Sequence, residues 1–327
     1  MRYFRTIVSS PFSSQKVGLK DRFLTVGSCF ADVVGGYLQN YKIETCSNPF
    51  GTLYSPASIH KVLNYVMLNQ APPDHTYLQN QDIHLNYDFH SEFSALQEEA
   101  LQKRLSDSLH MTHQFLKNTD RLIITYGTAW VYERIDNNEL VANCHKMPAK
   151  LFTKSLLTQK KIIESFDLLY KDLKKFNPKI KIILTVSPVR HLKDTLELNS
   201  VSKSILRVAC HTLKETYADV EYFPAYEIMM DDLRDYRFYK SDMIHPSEEA
   251  EEYIWAKFAD TFIDDSAKQF FEKWNGIQSA IAHKPFHPSS TSHQNFLKTT
   301  LQKLEELKSI INVDEEMNQI KSQIHTS

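Results

Sequence analysis

The order of apolar segments predicts a doubly wound α/β fold with a mainly parallel, five-stranded sheet in flavodoxin-like order. Short β-prone runs alternate with longer runs of helical periodicity, and parallel strands need crossovers of that length. Glycine is rare, with 7 residues in a chain of 327, yet Gly27, Gly51 and Gly127 each come just after an extended apolar run. Because ligands of open α/β sheets bind where strands end, we expect the function to lie at this edge.

Each element follows from its own pattern. The strands of the sheet are predicted at residues 22–26, 43–46, 121–126, 180–186 and 220–223. Helical periodicity predicts helices that begin near residues 29 and 56, and others over 96–117, 156–176 and 200–217. A hairpin is predicted from residues 130–133 and 140–142, and short polar turns separate the other elements.

Residues 69–95 form the least regular segment between predicted strands. They show no sustained period, and a structureless stretch of that length inside a compact domain is typical of a functional lid. Because the segment leaves the carboxyl end of a strand, we expect it to form one wall of the active-site pocket. The hypothesis requires His90 or Ser91 to lie in the same cleft as Ser28. The alternative is a crossover loop on the flank of the domain.

The predicted domain organisation is an α/β domain over residues 1–264, with an insertion at about 69–117, and a C-terminal helical extension over 265–327. The extension carries no residues suited to chemistry. Its last helix has an apolar stripe that we expect to pack on the outside of the domain or on a second subunit, which would make the chain a homo-oligomer. The stripe comprises Leu297, Leu301, Leu304, Leu307 and Ile311.

Composition excludes several classes of function. The formal net charge is −2, so nucleic acid and anionic membranes are not expected as partners. There is no apolar run of membrane-spanning length and no secretory signal, which predicts a cytoplasmic protein. Glycine-rich nucleotide-binding motifs are missing, and we expect no cofactor. The four scattered cysteines are expected to be reduced.

Residues able to carry acyl-transfer chemistry occur at four of the five strand ends. Ser28 ends the first predicted strand directly before a helix, where its hydroxyl would be exposed and its N–H could stabilise an oxyanion. Asp242 and His245, three residues apart, could act as the carboxylate and imidazole of a catalytic triad with Ser28. Ser28 could instead be an ordinary helix N-cap, and Asp242 and His245 a surface turn.

Further candidates for oxyanion or substrate binding lie at these strand ends, at the end of the predicted hairpin and within residues 69–95. They are Asn48, Gly51, Gly127, Thr128, Asn143, His145, Arg190, His191 and His90. Cys29 could be the nucleophile of a thiol enzyme, but it is expected to point into its helix if Ser28 points out, and so to be a small packed residue. A metal bound by Asp88 and the histidines is a further alternative, although their spacing matches no compact ligand motif, and no metal is expected.

The motifs resemble those of the GSCFA family. Residues 27–31 spell GSCFA, and NPFGTLYSP (48–56), DFHSEFS (88–94), YGTAWVY (126–132), NCHKMP (143–148), SPVRH (187–191) and SDMIHPS (241–247) follow in order. The family is related to the SGNH, or GDSL-like, serine hydrolases. The resemblance implies that Ser28 is the nucleophile, Gly51 an amide donor to the oxyanion, and Asp242 and His245 the rest of the triad.

One segment departs from the SGNH pattern. Where those enzymes carry Gly-x-Asn-Asp, this chain has Gly127-Thr128-Ala129-Trp130, so the side-chain amide of the oxyanion hole is missing. Removing one such donor costs roughly 10²–10³ in turnover, unless Asn48, Asn143, Thr128 or His145 replaces it. The expected function is a serine hydrolase, an esterase or deacylase, acting on a small O-acyl ester, such as an acylated carbohydrate, through acyl-Ser28. The alternatives are an acyltransferase with the same triad and a non-catalytic ligand-binding module.

Overall fold

The computed structural model describes residues 5–324 and contains ten strands in that range. In chain order they are β1 (Phe23–Gly27), β2 (Thr45–Ser47), β3 (Tyr77–Asn80), β4 (Ile83–Asn86), β5 (Arg121–Tyr126), β6 (Trp130–Arg134), β7 (Leu140–Val141), β8 (Phe152–Leu156), β9 (Lys181–Val186) and β10 (Val220–Phe223). Five of them form one parallel sheet in the order β2-β1-β5-β9-β10. This confirms the predicted flavodoxin-like order.

Helices connect these strands and cover both faces of the sheet. They are α1 (Cys29–Asn40), α2 (Pro56–Leu68), α3 (Glu98–Leu116), α4 (Gln159–Phe176), α5 (Thr195–Thr216), α6 (Ala225–Glu227), α7 (Glu248–Phe262), α8 (Asp265–Ala282), α9 (Thr291–Leu307) and α10 (Asp314–Lys321). Two buried apolar clusters result, one on each face of the sheet. α2 to α5 contribute to the first cluster, and α1 and α7 to α10 contribute to the second.

Two predicted boundaries were wrong. Residues 69–95 are not structureless, because β3 and β4 pair as an antiparallel hairpin within them. Leu156 does not begin α4 but ends β8, which pairs with β6 to extend the predicted hairpin to three strands. β8 is half exposed and polar, so it lacks the apolar run by which the buried strands were found.

The C-terminal helices pack on the outside of the α/β domain. The indole N–H of Trp274 in α8 donates to the carbonyl of Asn40 at 2.7 Å, and Phe271 stacks on Tyr41 with ring centroids 4.0 Å apart. The apolar stripe of α9 is buried within the chain itself at Leu297, Leu304 and Leu307. None of the helices between residues 5 and 324 is long and apolar enough to cross a membrane.

Candidate active site

The turn from β1 into α1 places Ser28 inside the protein. Its N–H donates to the carbonyl of Thr125 in β5 at 3.0 Å, and its side chain is 1% exposed. Its Oγ has no hydrogen-bond partner among the described residues and does not cap α1. The expectation of an exposed hydroxyl beside a free N–H was therefore wrong, because the close approach of β1 to β5 engages that amide and buries the side chain.

Cys29, the first residue of α1, is partly buried, and the condition on which it was expected to point into its helix, an outward Ser28, is not met. Burial raises the pKa of this thiol and Asp32 raises it further, whereas Lys203 and the N–H groups of Cys29 and Phe30 lower it; the net shift of the pKa is upward, toward the neutral thiol. All four cysteines of the chain are unpaired.

The turn after β2 is held by hydrogen bonds that involve two of the expected oxyanion donors. The side chain of Asn48 accepts from the N–H of Gly27 at 3.1 Å and donates to Asp32 at 3.0 Å. The N–H of Gly51 donates to the carbonyl of Asn48 at 2.9 Å. Asn48 and Gly51 thus shape the turn beside α1; the backbone N–H of Gly51 is engaged, whereas the side-chain amide of Asn48 has a second N–H beyond the one donated to Asp32.

His90 lies at the same edge of the sheet as Ser28. Gly51 has a φ of +67°, and a Cβ added there would be 2.7 Å from the Cβ of His90. His90 also acts electrostatically on Asp32 in the first turn of α1. The segment that carries His90 therefore reaches the turn after β2 and the first turn of α1. That His90 or Ser91 shares a cleft with Ser28, as the lid hypothesis requires, stays a prediction.

The end of β5 offers no free amide either. The N–H groups of Gly127 and Thr128 both donate to the carbonyl of Tyr54, at 2.8 and 3.1 Å. The hydroxyl of Thr128 lies 3.0 Å from the hydroxyl of Ser202 in α5. These bonds fix Tyr54 over the end of the strand, where its ring is in contact with Gly127.

Asn143 and His145 form a separate cluster with Ser91. Asn143 donates to the hydroxyl of Ser91 at 3.0 Å, and Nε2 of His145 lies 2.7 Å from the carbonyl of Asn86. Burial lowers the pKa of His145. With residues of the β3–β4 hairpin, the three side chains line a cavity of about 630 Å³. They hold the insertion to the hairpin that follows β5.

The carboxylate considered for a metal is already engaged. Both oxygens of Asp88 are occupied, one by the ammonium of Lys61 at 2.7 Å and the other by the hydroxyl of Tyr65 at 2.9 Å. Over residues 5–324, no three His, Cys, Asp or Glu side chains are grouped so that they could hold a metal ion.

His191 and Arg190 follow β9 and lie at two sides of the site. The ring of His191 meets that of Tyr54 edge-on, with centroids 5.1 Å apart. Burial, with Lys203 and other lysines nearby, lowers the pKa of His191 to about 4, so its imidazole is neutral at pH 7. The guanidinium of Arg190 lies 4.8 Å from the ring centroid of Tyr239, which places the loop before α7 at this edge.

Asp242 and His245 form the pair that the sequence predicts. Oδ2 of Asp242 lies 2.6 Å from Nδ1 of His245, and Oδ1 accepts from the N–H groups of Ile244 and His245 at 2.9 and 3.0 Å. These hydrogen bonds lower the pKa of Asp242 to about 2, so the carboxylate is ionised. Both side chains are almost half exposed. In the described part of the chain, Asp242 is the sole side-chain partner of His245, so the triad with Ser28 is not closed.

Lys203 is a residue of this site that the sequence reasoning missed. It is buried in α5, and its ammonium donates to the carbonyl of Ser187 at the end of β9, at 2.7 Å. A signal was present in the helix, because Lys203 falls on the same stripe as Leu206, Cys210 and Leu213, which are all buried. A lysine on the apolar face of a helix is rarely placed there without a partner or a role.

The fold and this edge define a doubly wound α/β protein with a serine–cysteine turn, a buried lysine and an Asp–His pair where its parallel strands end. Residues 22–258 match the model of the GSCFA family, and residues 274–326 match that of the GSCFA domain protein, C-terminal domain. The first match covers well over half of the chain. The chain therefore belongs to the GSCFA family, which confirms the resemblance of its motifs.

Solved structures with similar arrangements include a carbohydrate esterase family 3 protein from Talaromyces cellulolyticus, at 9% identity and a TM-score of 0.35, covering 77% of this chain and 99% of that one. Another is an acetyl xylan esterase from Butyrivibrio proteoclasticus, at 11% identity and a TM-score of 0.36, covering 76% of this chain and 64% of that one. A search of curated proteins finds no match.

Proposed function

We propose that this protein is a hydrolase of small O-acyl esters, such as an acylated carbohydrate, which works through an acyl intermediate on the turn between β1 and α1. The observation that carries the proposal is the Asp242–His245 pair at 2.6 Å. An ionised carboxylate on Nδ1 fixes the imidazole tautomer and leaves Nε2 as a general base. The turn at Ser28 and Cys29 supplies two side chains capable of nucleophilic attack.

In this reaction His245 takes the proton of the attacking group and later gives it to the departing alcohol. Asp242 stabilises the imidazolium that forms in between. The pair lies on an exposed loop, so it must approach the turn when substrate binds, as catalytic contacts often tighten only in the complex. If an alcohol replaces water in the second step, the same residues perform acyl transfer. The free cysteines support a reducing, cytoplasmic location.

A non-catalytic binding module is the second candidate, and one observation favours it. The N–H groups of Ser28, Gly51, Gly127 and Thr128 all donate to backbone carbonyls, so these amides form no ready oxyanion hole. A binding module on this fold would use Tyr54, His191 and Arg190 to hold a polar ligand at the strand ends.

Hydrolysis of a panel of 4-nitrophenyl esters from acetate to hexanoate, together with an O-acetylated sugar, tests the proposal. Wild type should turn over at least one ester, and His245→Ala should lower kcat by 10²-fold or more, in the range typical of a lost general base. The matched control is His211→Ala, an exposed histidine on α5, which should leave turnover unchanged. Turnover that is equal in all three proteins would contradict the role of His245 as general base, and undetectable turnover in wild type would favour the binding module.

A further inference from the structure

Arg190, four residues beyond the end of β9, is held by aromatic rings instead of by a carboxylate. Its guanidinium lies 4.8 Å from the ring centroid of Tyr239 and 5.8 Å from that of Tyr236, within the range of cation–π attraction. Arg234, which lines the same cavity of about 250 Å³, pairs with Asp231 at 2.7 Å. Over residues 5–324, no ion pair joins Arg190 to a carboxylate. A half-buried cation thus rests on two tyrosines.

The two tyrosines belong to the loop that carries the aspartate and histidine of the candidate triad, here called the Asp–His loop (residues 236–247). Tyr239 forms an antiparallel bridge with Pro246. Next to that bridge, the N–H of Lys240 donates to the carbonyl of His245 at 2.8 Å. The loop therefore closes on itself, with Tyr239 at its base and the aspartate at its tip.

The tip of the Asp–His loop is held by its own hydrogen bonds. Asp242 accepts from two N–H groups of the tip, and the N–H of Met243 donates to the carbonyl of Lys240 at 2.9 Å. These bonds all stay within the loop, so the position of the His245 imidazole follows from the contacts at the base. On one side of the base, the ammonium of Lys240 pairs with Glu251 of α7 at 3.2 Å. On the other side, the arginine joins the base to the end of β9.

The residue next to Arg190 reaches the opposite wall of the site. The ring of His191 meets that of Tyr54 with centroids 5.1 Å apart. A Cβ added at Gly127 would lie 3.0 Å from Cδ1 of Tyr54 and 3.3 Å from the Cβ of Ser28, so these two side chains flank the same glycine. Arg190 and His191 are adjacent in the chain, and they therefore connect the Asp–His loop to the β1–α1 turn through direct contacts.

We infer that Arg190 is a positioning residue of the proposed hydrolase, an inference that rests on the function proposed above. Its cation–π contact with Tyr239 holds the Asp–His loop against the end of β9, from where His245 serves the β1–α1 turn. Arg190 acts through the tyrosine ring and takes no part in making or breaking bonds. A planar guanidinium stacks on an aromatic face in a way that the compact ammonium of lysine does not match, so the type of cation matters here as well as its charge.

Hydrogen exchange of the whole protein, read amide by amide, tests this docking without an ester. It follows the N–H of Lys240 and that of Ser247, which donates to the carbonyl of Phe238 at 2.8 Å. Arg190→Ala should speed exchange at both amides about tenfold, a change in the range of one cation–π contact. Arg190→Lys should speed it less, because the cation is kept. The matched control is Arg234→Ala, which removes an arginine from the same cavity and should leave both amides within about twofold of wild type.

Tyr239→Leu shows whether Arg190 acts through the tyrosine ring. If it does, the double variant should exchange no faster at Lys240 than the faster of the two single variants. Effects that multiply in the double variant would overturn the inference, and so would unchanged exchange in Arg190→Ala. Equal acceleration at the buried amide of Leu184 in β9 would also overturn it, because that pattern reports a general loss of structure. Arg190→Lys takes the place of the alanine variant if Arg190→Ala fails to fold.

Steady-state kinetics on the 4-nitrophenyl ester that wild type hydrolyses fastest test the role of Arg190 in the reaction. Arg190→Ala should lower kcat about tenfold with KM within about twofold of wild type, because a displaced His245 affects the chemical step and not substrate binding. Arg190→Lys should recover part of the loss. A raised KM with unchanged kcat would assign Arg190 to the substrate and overturn the inference while leaving the hydrolase intact. Absence of turnover in wild type would overturn the hydrolase and the role of Arg190 in it, whereas hydrogen exchange would still decide the docking.

Discussion

The buried histidine His60 makes the stability of this protein depend on pH in a calculable way. Its Nδ1 lies 2.8 Å from the hydroxyl of Ser165, and its Nε2 lies 2.7 Å from that of Tyr126, directly before Gly127. Burial lowers the pKa of His60 from 6.5 to about 3. The unfolded chain therefore binds a proton below pH 6.5 that the folded chain does not bind, and stability falls as the pH falls toward 3.

The magnitude follows from the width of that interval. Between pH 6.5 and pH 5, an interval of about 1.5 pH units, only the unfolded state binds the proton on His60. The free energy of unfolding therefore falls by about 1.36 kcal/mol per pH unit, which is roughly 2 kcal/mol over the interval. The value holds for any folded-state pKa of His60 below about 4, so it does not depend on the full size of the shift.

Urea unfolding at pH 7.5 and pH 5.0 checks this value in wild type and in His60→Gln. Glutamine can still hydrogen-bond to Ser165 or Tyr126 but does not titrate, so the variant should lose about 2 kcal/mol less than wild type over the interval. His191→Gln reports the contribution of the other histidine with a strongly lowered pKa. Identical pH dependence in wild type and His60→Gln would refute the reasoning, because it would mean that His60 is protonated in the folded state.

Three further outcomes concern packing. Trp274→Ala should lower the free energy of unfolding in urea by roughly 3–5 kcal/mol, because a fully buried indole and its hydrogen bond to the carbonyl of Asn40 are lost. A decrease below about 1 kcal/mol would show that the C-terminal extension folds apart from the α/β core. Gly27→Ala should destabilise the fold by about 3 kcal/mol or more. Gly27 has a φ of +136°, and an added Cβ would lie 2.2 Å from the carbonyl oxygen of Thr125. A melting temperature near that of wild type would contradict this. Gly36→Ala in the same region is the matched control, because nothing lies within 4 Å of the added Cβ in mid-helix, and it should stabilise by roughly 0.5–1 kcal/mol.

Local sequence determined the sheet of this protein. The buried strands β5 and β9 are mainly apolar runs that follow one charged residue, and the helices between the strands of the sheet carry a clear 3.6-residue period. Both signals depend on neighbouring residues alone, so the order of strands could be predicted. The half-exposed β8 could not, because its pairing with β6 is a contact between segments about 20 residues apart and leaves no apolar period.

The Asp242–His245 pair was also within reach of the sequence, because the residues are three apart and one turn suffices to join them. Which of Ser28 and Cys29 is the more deeply buried was not within reach of the sequence. Adjacent residues at a strand-to-helix junction point in different directions, and the choice is made by the bond from the Ser28 amide to Thr125, about 100 residues away.

Lys203 was hidden for the same reason. Its burial arises from the packing of α5 against the end of β9, where its ammonium donates a hydrogen bond to the carbonyl of Ser187. The sequence by itself therefore determined the five strands of the parallel sheet, their order and the helices between them. Only the tertiary structure decided which side chains at the strand ends are buried, paired or free, because burial and charge depend on groups brought together from distant segments.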